Sequence, residues 1–214
     1  MTSSAMSRRS LLGFGALAVA VSLAPAPTWA QQAPQIDGFR SAKFGMDEKA
    51  VKAAIKTDFN IEGKAVRSEV NPLEKTTALV IEVPDLEPGG KAQIAYILGY
   101  SSAKLIQVNV VWGAPINPKA TGDQLSGAGT LLRNYFAQQA FPPDRRAQDQ
   151  RLQDGSLLFF QGRDDKTRQV SVILFGANVA GKEGEKPTQV FSLRLSYIAN
   201  PQTPDVFQLK QGSF

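Results

Sequence analysis

The sequence predicts an α+β fold of two tandem units, each a helix packed on an antiparallel β-meander. Three observations predict it. Apolar residues recur with helical spacing after Asp47, then switch to an alternating period from residue 64 onward. Four short alternating runs follow, joined by turns too brief for parallel crossovers, which need a dozen or more residues. After a proline-marked seam at residues 113–120, the plan of helix then strands begins again near Thr121.

The leader comes first along the chain. Ser7-Arg8-Arg9-Ser10-Leu11-Leu12 opens an apolar run that reaches Leu23, followed by Ala24-Pro25-Ala26-Pro27 and Thr28-Trp29-Ala30. A basic start, an apolar centre and a small residue at the end are the layout of an export signal. The run falls short of the ~20 residues of a membrane-spanning helix, so no integral membrane segment is expected after cleavage. The pair Arg8 and Arg9 resembles a twin-arginine (Tat) signal, and paired basic residues also occur in ordinary Sec signals. Cleavage is expected after Ala30. That leaves one α+β domain over residues 31–214, with pseudo-repeats at about 38–113 and 119–200 and a tail at 201–214. The expected location is periplasmic or secreted.

In the first unit, residues 31–40 read as a polar lead-in. Asp47 caps a helix whose apolar face is Val51, Ile55 and Phe59, with Gly63 as its stop. Lys49, Lys52 and Lys56 fall on the other side. Strands are expected over residues 64–70, 76–83, 91–99 and 105–112, with turns at Asn71-Pro72 and Pro88-Gly89-Gly90 and a break at Pro84. Inward positions are Ile94, Tyr96 and Leu98 on the third strand, and Ile106, Val108, Val110 and Trp112 on the fourth. In the second unit, Thr121 or Asp123 starts a helix with Leu125, Leu132 and Phe136 inward, and Phe141-Pro142-Pro143 ends it. Strands follow at 156–161, 167–175 and 188–198, with a weak fourth at 146–152.

The two units align in order. Gln93-Ile94-Ala95-Tyr96-Ile97-Leu98 matches Gln169-Val170-Ser171-Val172-Ile173-Leu174, and Phe59 matches Phe136. Gln107-Val108 matches Gln189-Val190 if the second hairpin is longer by the residues around 180–187. These matches suggest an internal duplication. Phe44-Gly45-Met46-Asp47, with Val51 four residues on, also resembles the helix opening of the SmpA/OmlA (BamE-like) outer-membrane assembly lipoproteins and of β-lactamase-inhibitor-type proteins. The resemblance implies helices on an antiparallel sheet. For the inhibitor type it implies a doubled unit whose concave sheet grips another protein. Gly122-Asp123 of the second unit lacks the Met and the Val. The lipidated Cys of the first family and the disulfides of the second are absent here.

Composition narrows the chemistry. The 214 residues include no Cys and no His. Disulfides, thiolate metal sites, a lipid-anchoring Cys, a His-based triad and the usual Zn and haem ligands are therefore excluded. The net charge is +5, and the leader carries two of those charges away, so the domain lacks the basic footprint of a nucleic-acid binder. Asp164-Asp165 in a Gly-containing hairpin reads as turn chemistry, with a hard-cation site including Asp154 as the rival. Gly127-Ala128-Gly129 lies within the helix and reads as helix packing, since no dinucleotide loop surrounds it.

Two function classes stay open. One is an exported, non-catalytic binding or accessory protein that holds a protein partner of the cell envelope through a sheet face or hairpin loops, with no cofactor and no metal. The other is a hydrolase or small-ligand binder built on carboxylates and arginines. The candidate partner surface is Lys49, Lys52 and Lys56 with Arg145 and Arg146, weighed against plain solvated faces.

Overall fold

The alternating runs assemble into one sheet. The computed structural model describes residues 34–179, 188–209 and 212. Arg8, Arg9, Ala30 and the 180–187 stretch lie outside the described residues. The elements are β1 (Gly38–Phe39), β2 (Ala42–Lys43), α1 (Glu48–Phe59), β3 (Arg67–Val70), β4 (Thr77–Leu86), β5 (Gly90–Leu98), β6 (Leu105–Gly113), α2 (Gly122–Ala137), β7 (Arg146–Arg151), β8 (Leu157–Arg163), β9 (Gln169–Val179) and β10 (Thr188–Ile198). β1 and β2 pair with each other, and the remaining strands form an eight-stranded sheet in the order β3-β4-β5-β6-β10-β9-β8-β7. The join is β6 against β10, antiparallel from Ser192 opposite Gly113 to Ile198 opposite Gln107.

Register turns the alternating pattern into two unlike faces. Ile81, Ile94, Val110, Leu195, Val172 and Phe160 stand opposite one another on six successive strands, and all are buried. A second row runs Val83, Ala92, Trp112, Leu193 and Leu174. Both helices contribute to the same core. Trp112 is buried there, and its indole N–H donates to the Leu86 carbonyl at 2.8 Å, so its one polar group is satisfied.

Each helix begins where its cap dictates. The Asp47 carboxylate accepts the Ala50 N–H, and Val51 and Ile55 are fully buried. Thr121 and Gln124 form a reciprocal capping box at the start of α2. The stops differ from expectation. α1 ends at Asn60 in the left-handed region (φ 55°), and Gly63 instead opens a 3-10 turn over Gly63–Ala65. α2 stops at Ala137, before Phe141, whose side chain is buried against Phe160. Tight packing explains Gly129: a Cβ there would lie 2.6 Å from the Phe159 ring. A register shift between Leu158 and Phe160 turns both Phe159 and Phe160 toward α2.

Other expectations need correction. The strand expected at 64–70 is only Arg67–Val70, an edge strand exposed throughout. β4 crosses Pro84 and reaches Leu86 with a register shift after Val83, a position an irregular strand end tolerates. A shift near Leu98 buries Leu105 and leaves Ile106 half-buried. The described part of the lead-in belongs to the fold: Ile36 is buried, and Arg40 (φ 52°) turns the chain between β1 and β2. The tail binds the first unit, with the Tyr100 N–H donating to Asp205 and the Phe207 N–H to Glu74. The proposed Gln107-Val108 match also fails in register. Val108 opposes Tyr96, which aligns with Val172, and Val172 opposes Leu195 and not Val190.

Candidate functional site

The basic residues singled out from the sequence are surface groups, and most have partners. Lys49, Lys52 and Lys56 are exposed on α1, as the helical spacing requires. Lys52 pairs with Glu48 at 2.6 Å and Lys56 with Glu62 at 2.6 Å. A groove of about 330 Å³ lies beside them, lined by Lys52, Ala53, Lys56, Glu62, Gly63 and Val66. Arg145, in the 3-10 turn before β7, pairs with Asp165 at 2.6 Å. Arg146 is exposed at the start of β7, on the edge strand opposite β3. The lysines lie on α1 of the first unit and the arginines at the start of β7 in the second.

The carboxylates are committed to structure. Asp164 is only 3% exposed. It accepts the backbone N–H groups of Ile36, Lys166 and Arg168, and the Arg168 Nε at 2.7 Å. Four donors saturate it, so it has no free lone pair for acid–base work and instead straps the lead-in to the β8–β9 turn. Asp154 accepts both the N–H and the hydroxyl of Ser156, and those bonds hold it below its usual carboxylate value. No group of three or more metal-ligating side chains forms among the described residues.

The helix face holds one aromatic cleft. Phe39, Arg40, Trp112, Leu132, Tyr135 and Tyr197 are among the residues that line about 150 Å³. Arg40 lies over the rings of Phe39 (5.6 Å) and Phe59 (4.6 Å). The cleft is smaller than ordinary ligand pockets, which run ~300–1,000 Å³. Burial pushes the hydroxyls of Tyr96 and Tyr197 up, which keeps both protonated and unfit as bases.

The opposite face of the sheet is different in kind. Among the described residues, no helix packs on it. Its central positions are Gln93, Ala95 and Ile97 on β5, Gln107, Asn109 and Val111 on β6, Ser192, Arg194 and Ile198 on β10, and Ile173 and Phe175 on β9. These are half-buried, Ser196 and Ser171 in the row of Asn109 are buried, and amides, hydroxyls and aliphatic groups interleave. At one end the tail residues Asn200, Thr203 and Pro204 close a recess of about 300 Å³ against Gln107 and Ile198.

Arg194 stands near the middle of this face. Its row neighbours are Val111 and Ile173, and its guanidinium lies 4.5 Å from the Phe175 ring centroid. The Nε is buried and makes no hydrogen bond, and burial pulls the group down from its ordinary value. The sequence offered no pointer to it, because an arginine at an alternating strand position reads as a solvated side chain. Its setting emerges only when β6 and β9 are placed on either side.

No helix among the described residues is long and apolar enough to cross a membrane. Comparisons of the chain with protein-family models, with curated proteins and with solved structures find no match.

Proposed function

We propose that residues 31–214 form an exported, non-catalytic binding module that holds a protein partner of the cell envelope on the helix-free face of the sheet. One observation carries this reading. Both helices cover one face, while Ile97, Val111, Ile173 and Phe175 are only half-buried among amides and hydroxyls on the other. An apolar patch interleaved with hydrogen-bonding groups on a rigid sheet suits a partner surface better than it suits bulk water. The paired arginines of the leader support export, and the Tat route is the form of it we favour.

The module is two tandem helix-plus-meander units. The order helix, then four strands, occurs twice along the chain, and the two quartets of strands meet in opposite sense at β6 and β10. A duplication of this kind agrees with the aligned runs at Gln93 and Gln169 and with the helix opening at Phe44-Gly45-Met46-Asp47.

A photoreactive residue placed at Asn109 in the exported protein tests the reading. It should give a discrete protein adduct in intact cells, whereas the same group at Lys52 gives none. Adducts of equal yield from both positions, or from Lys52 alone, would put the contact on α1 instead. Replacing Arg8 and Arg9 by Lys should leave precursor in the cytoplasm if the Tat route is used.

A further inference from the structure

Resting on that reading of the open face, we propose that Arg194 is its recognition centre, and that the occupant is an acidic segment of the partner protein whose carboxylate seats on this guanidinium. The charge pattern of the sheet supplies the first argument. Strands β5, β6, β10, β9 and β8 are consecutive neighbours, and none contains Asp or Glu. Their charged residues are Lys91, Arg163 and Arg194. Alternation puts all three on the open face, so five adjoining strands present cations there and no anion.

The second argument is which cation has a buried donor without an acceptor. Lys91 pairs with Glu82 at 3.1 Å, and the Arg163 Nε, though in no ion pair among the described residues, has the neutral Gln169 amide as acceptor at 3.2 Å. Arg194 forms no ion pair among the described residues, and its Nε is buried without an acceptor. A partly desolvated guanidinium whose buried nitrogen lacks an acceptor is a cost to the folded chain. The cation–π contact with Phe175 offsets part of it. The remaining donors form a fork that matches a carboxylate in two-pronged fashion.

The third argument concerns the source of the anion. Anionic lipid surfaces are held by clusters of ~4–8 Lys and Arg. Here a single guanidinium sits between Val111 and Ile173, with Asn109 and Ser171 one row away. That arrangement suits one carboxylate flanked by aliphatic side chains and backbone amides, as a polypeptide presents them.

The test uses the protein lacking residues 1–30 and a short synthetic peptide of alternating Glu and Thr, with its Gln-Thr counterpart as control. Calorimetry should show saturable binding of the Glu peptide only, and amide shifts should map to β6, β9 and β10. Arg194→Gln should weaken binding at least about tenfold, the scale of one charge-assisted hydrogen bond. Arg194→Met separates this from a structural role: it should lose the peptide while unfolding at the same temperature as the parent or higher, because the charge it removes has no ion-pair partner among the described residues and methionine can keep the packing on Phe175. The proposal is overturned by unchanged affinity in Arg194→Gln, by absence of Glu-peptide binding, by a lowered melting midpoint in Arg194→Met, or by phosphatidylglycerol vesicles binding through this face in preference to the peptide. Adducts from Asn109 that persist undiminished in Arg194→Gln would sink the arginine while leaving the choice of face intact. Loss of those adducts from an Arg194-intact protein that still binds the peptide would sink the face.

Discussion

The two halves of the sheet receive their helices differently. In the first half α1 contributes aliphatic side chains, with Val51 and Ile55 fully buried in a core whose strands supply Ile81, Ile94, Tyr96 and Trp112. In the second half α2 contributes both extremes of size. Phe159 and Phe160 rise from β8, and α2 meets Phe159 with Gly129 and Phe160 with Phe136, whose rings lie 5.5 Å apart. Core volume must be filled to crystal-like density, but either side of an interface can fill it. Positions that align along the chain therefore need not carry the same energetic weight.

The strongest way to break this comparison is to cut the link that only the second half has. Asp164→Ala leaves the half-buried Arg168 guanidinium unpaired and frees the Ile36, Lys166 and Arg168 N–H groups, and should cost about 3–5 kcal/mol by chemical denaturation. A cost within the range of an exposed ion pair would mean that the strap holds nothing.

The helices come next. Ile55→Ala empties a site that is 0% exposed and should cost about 2–5 kcal/mol. Leu132 is half-buried at the rim of the aromatic cleft, so Leu132→Ala should cost at most about 2 kcal/mol. Equal losses would show that the two helices are packed alike after all.

Two glycines on one helix give a smaller, signed test. Gly129→Ala drives a methyl group into Phe159 and should destabilise by about 1–3 kcal/mol. Gly127 is exposed with open space around it, so Gly127→Ala should stabilise by about 0.4–1 kcal/mol. The same sign for both would refute the close approach of α2 to β8.

The smallest effect concerns the tail, which clasps only the first half. The Ser102 hydroxyl, then the backbone N–H groups of Ser101 and Ser102, hold Asp205 below its ordinary carboxylate value. A lowered folded value stabilises the clasp fully above the unfolded value near ~4, and that contribution is lost as pH falls through the folded value. Protection of the Phe207 amide, bonded to Glu74 and referred to the intrinsic exchange rate at each pH, should therefore fall in acid, and Asp205→Asn should lower it at neutral pH. Protection that stays constant into acid would mean that Asp205 does not clamp the tail.

Local features were legible in the sequence. The caps at Asp47 and Thr121, the inward positions Val51, Ile55 and Leu125, and β10 over Thr188–Ile198 follow from signals within a few residues of one another. What was not legible depends on distant pairing. Whether the units share a sheet turns on β6 meeting β10, and no local pattern encodes that. Bulges at Leu98 and Leu158 move a residue across the sheet without altering the apolar count, so Ile106 looked inward, and no local signal placed Phe159 and Phe160 on one side. The polar alternates Gln93, Asn109 and Ser171 marked a face free of core, but they could not single out Arg194. The lysines of α1 stood out through charge alone, which their ion pairs with Glu48 and Glu62 largely spend.

Because the chain has no cysteine, single thiols can report directly on whether the open face is occupied in the cell. Asn109→Cys and Ser192→Cys would be placed on that face, with Lys52→Cys on the outer side of α1, and each labelled with a membrane-impermeant maleimide in intact cells and after purification. The account predicts that all three react in the purified protein, and that in cells Lys52→Cys still reacts while the two face positions are strongly protected. Face thiols that label in cells as readily as Lys52→Cys, relative to their purified rates, would contradict a partner on the open face.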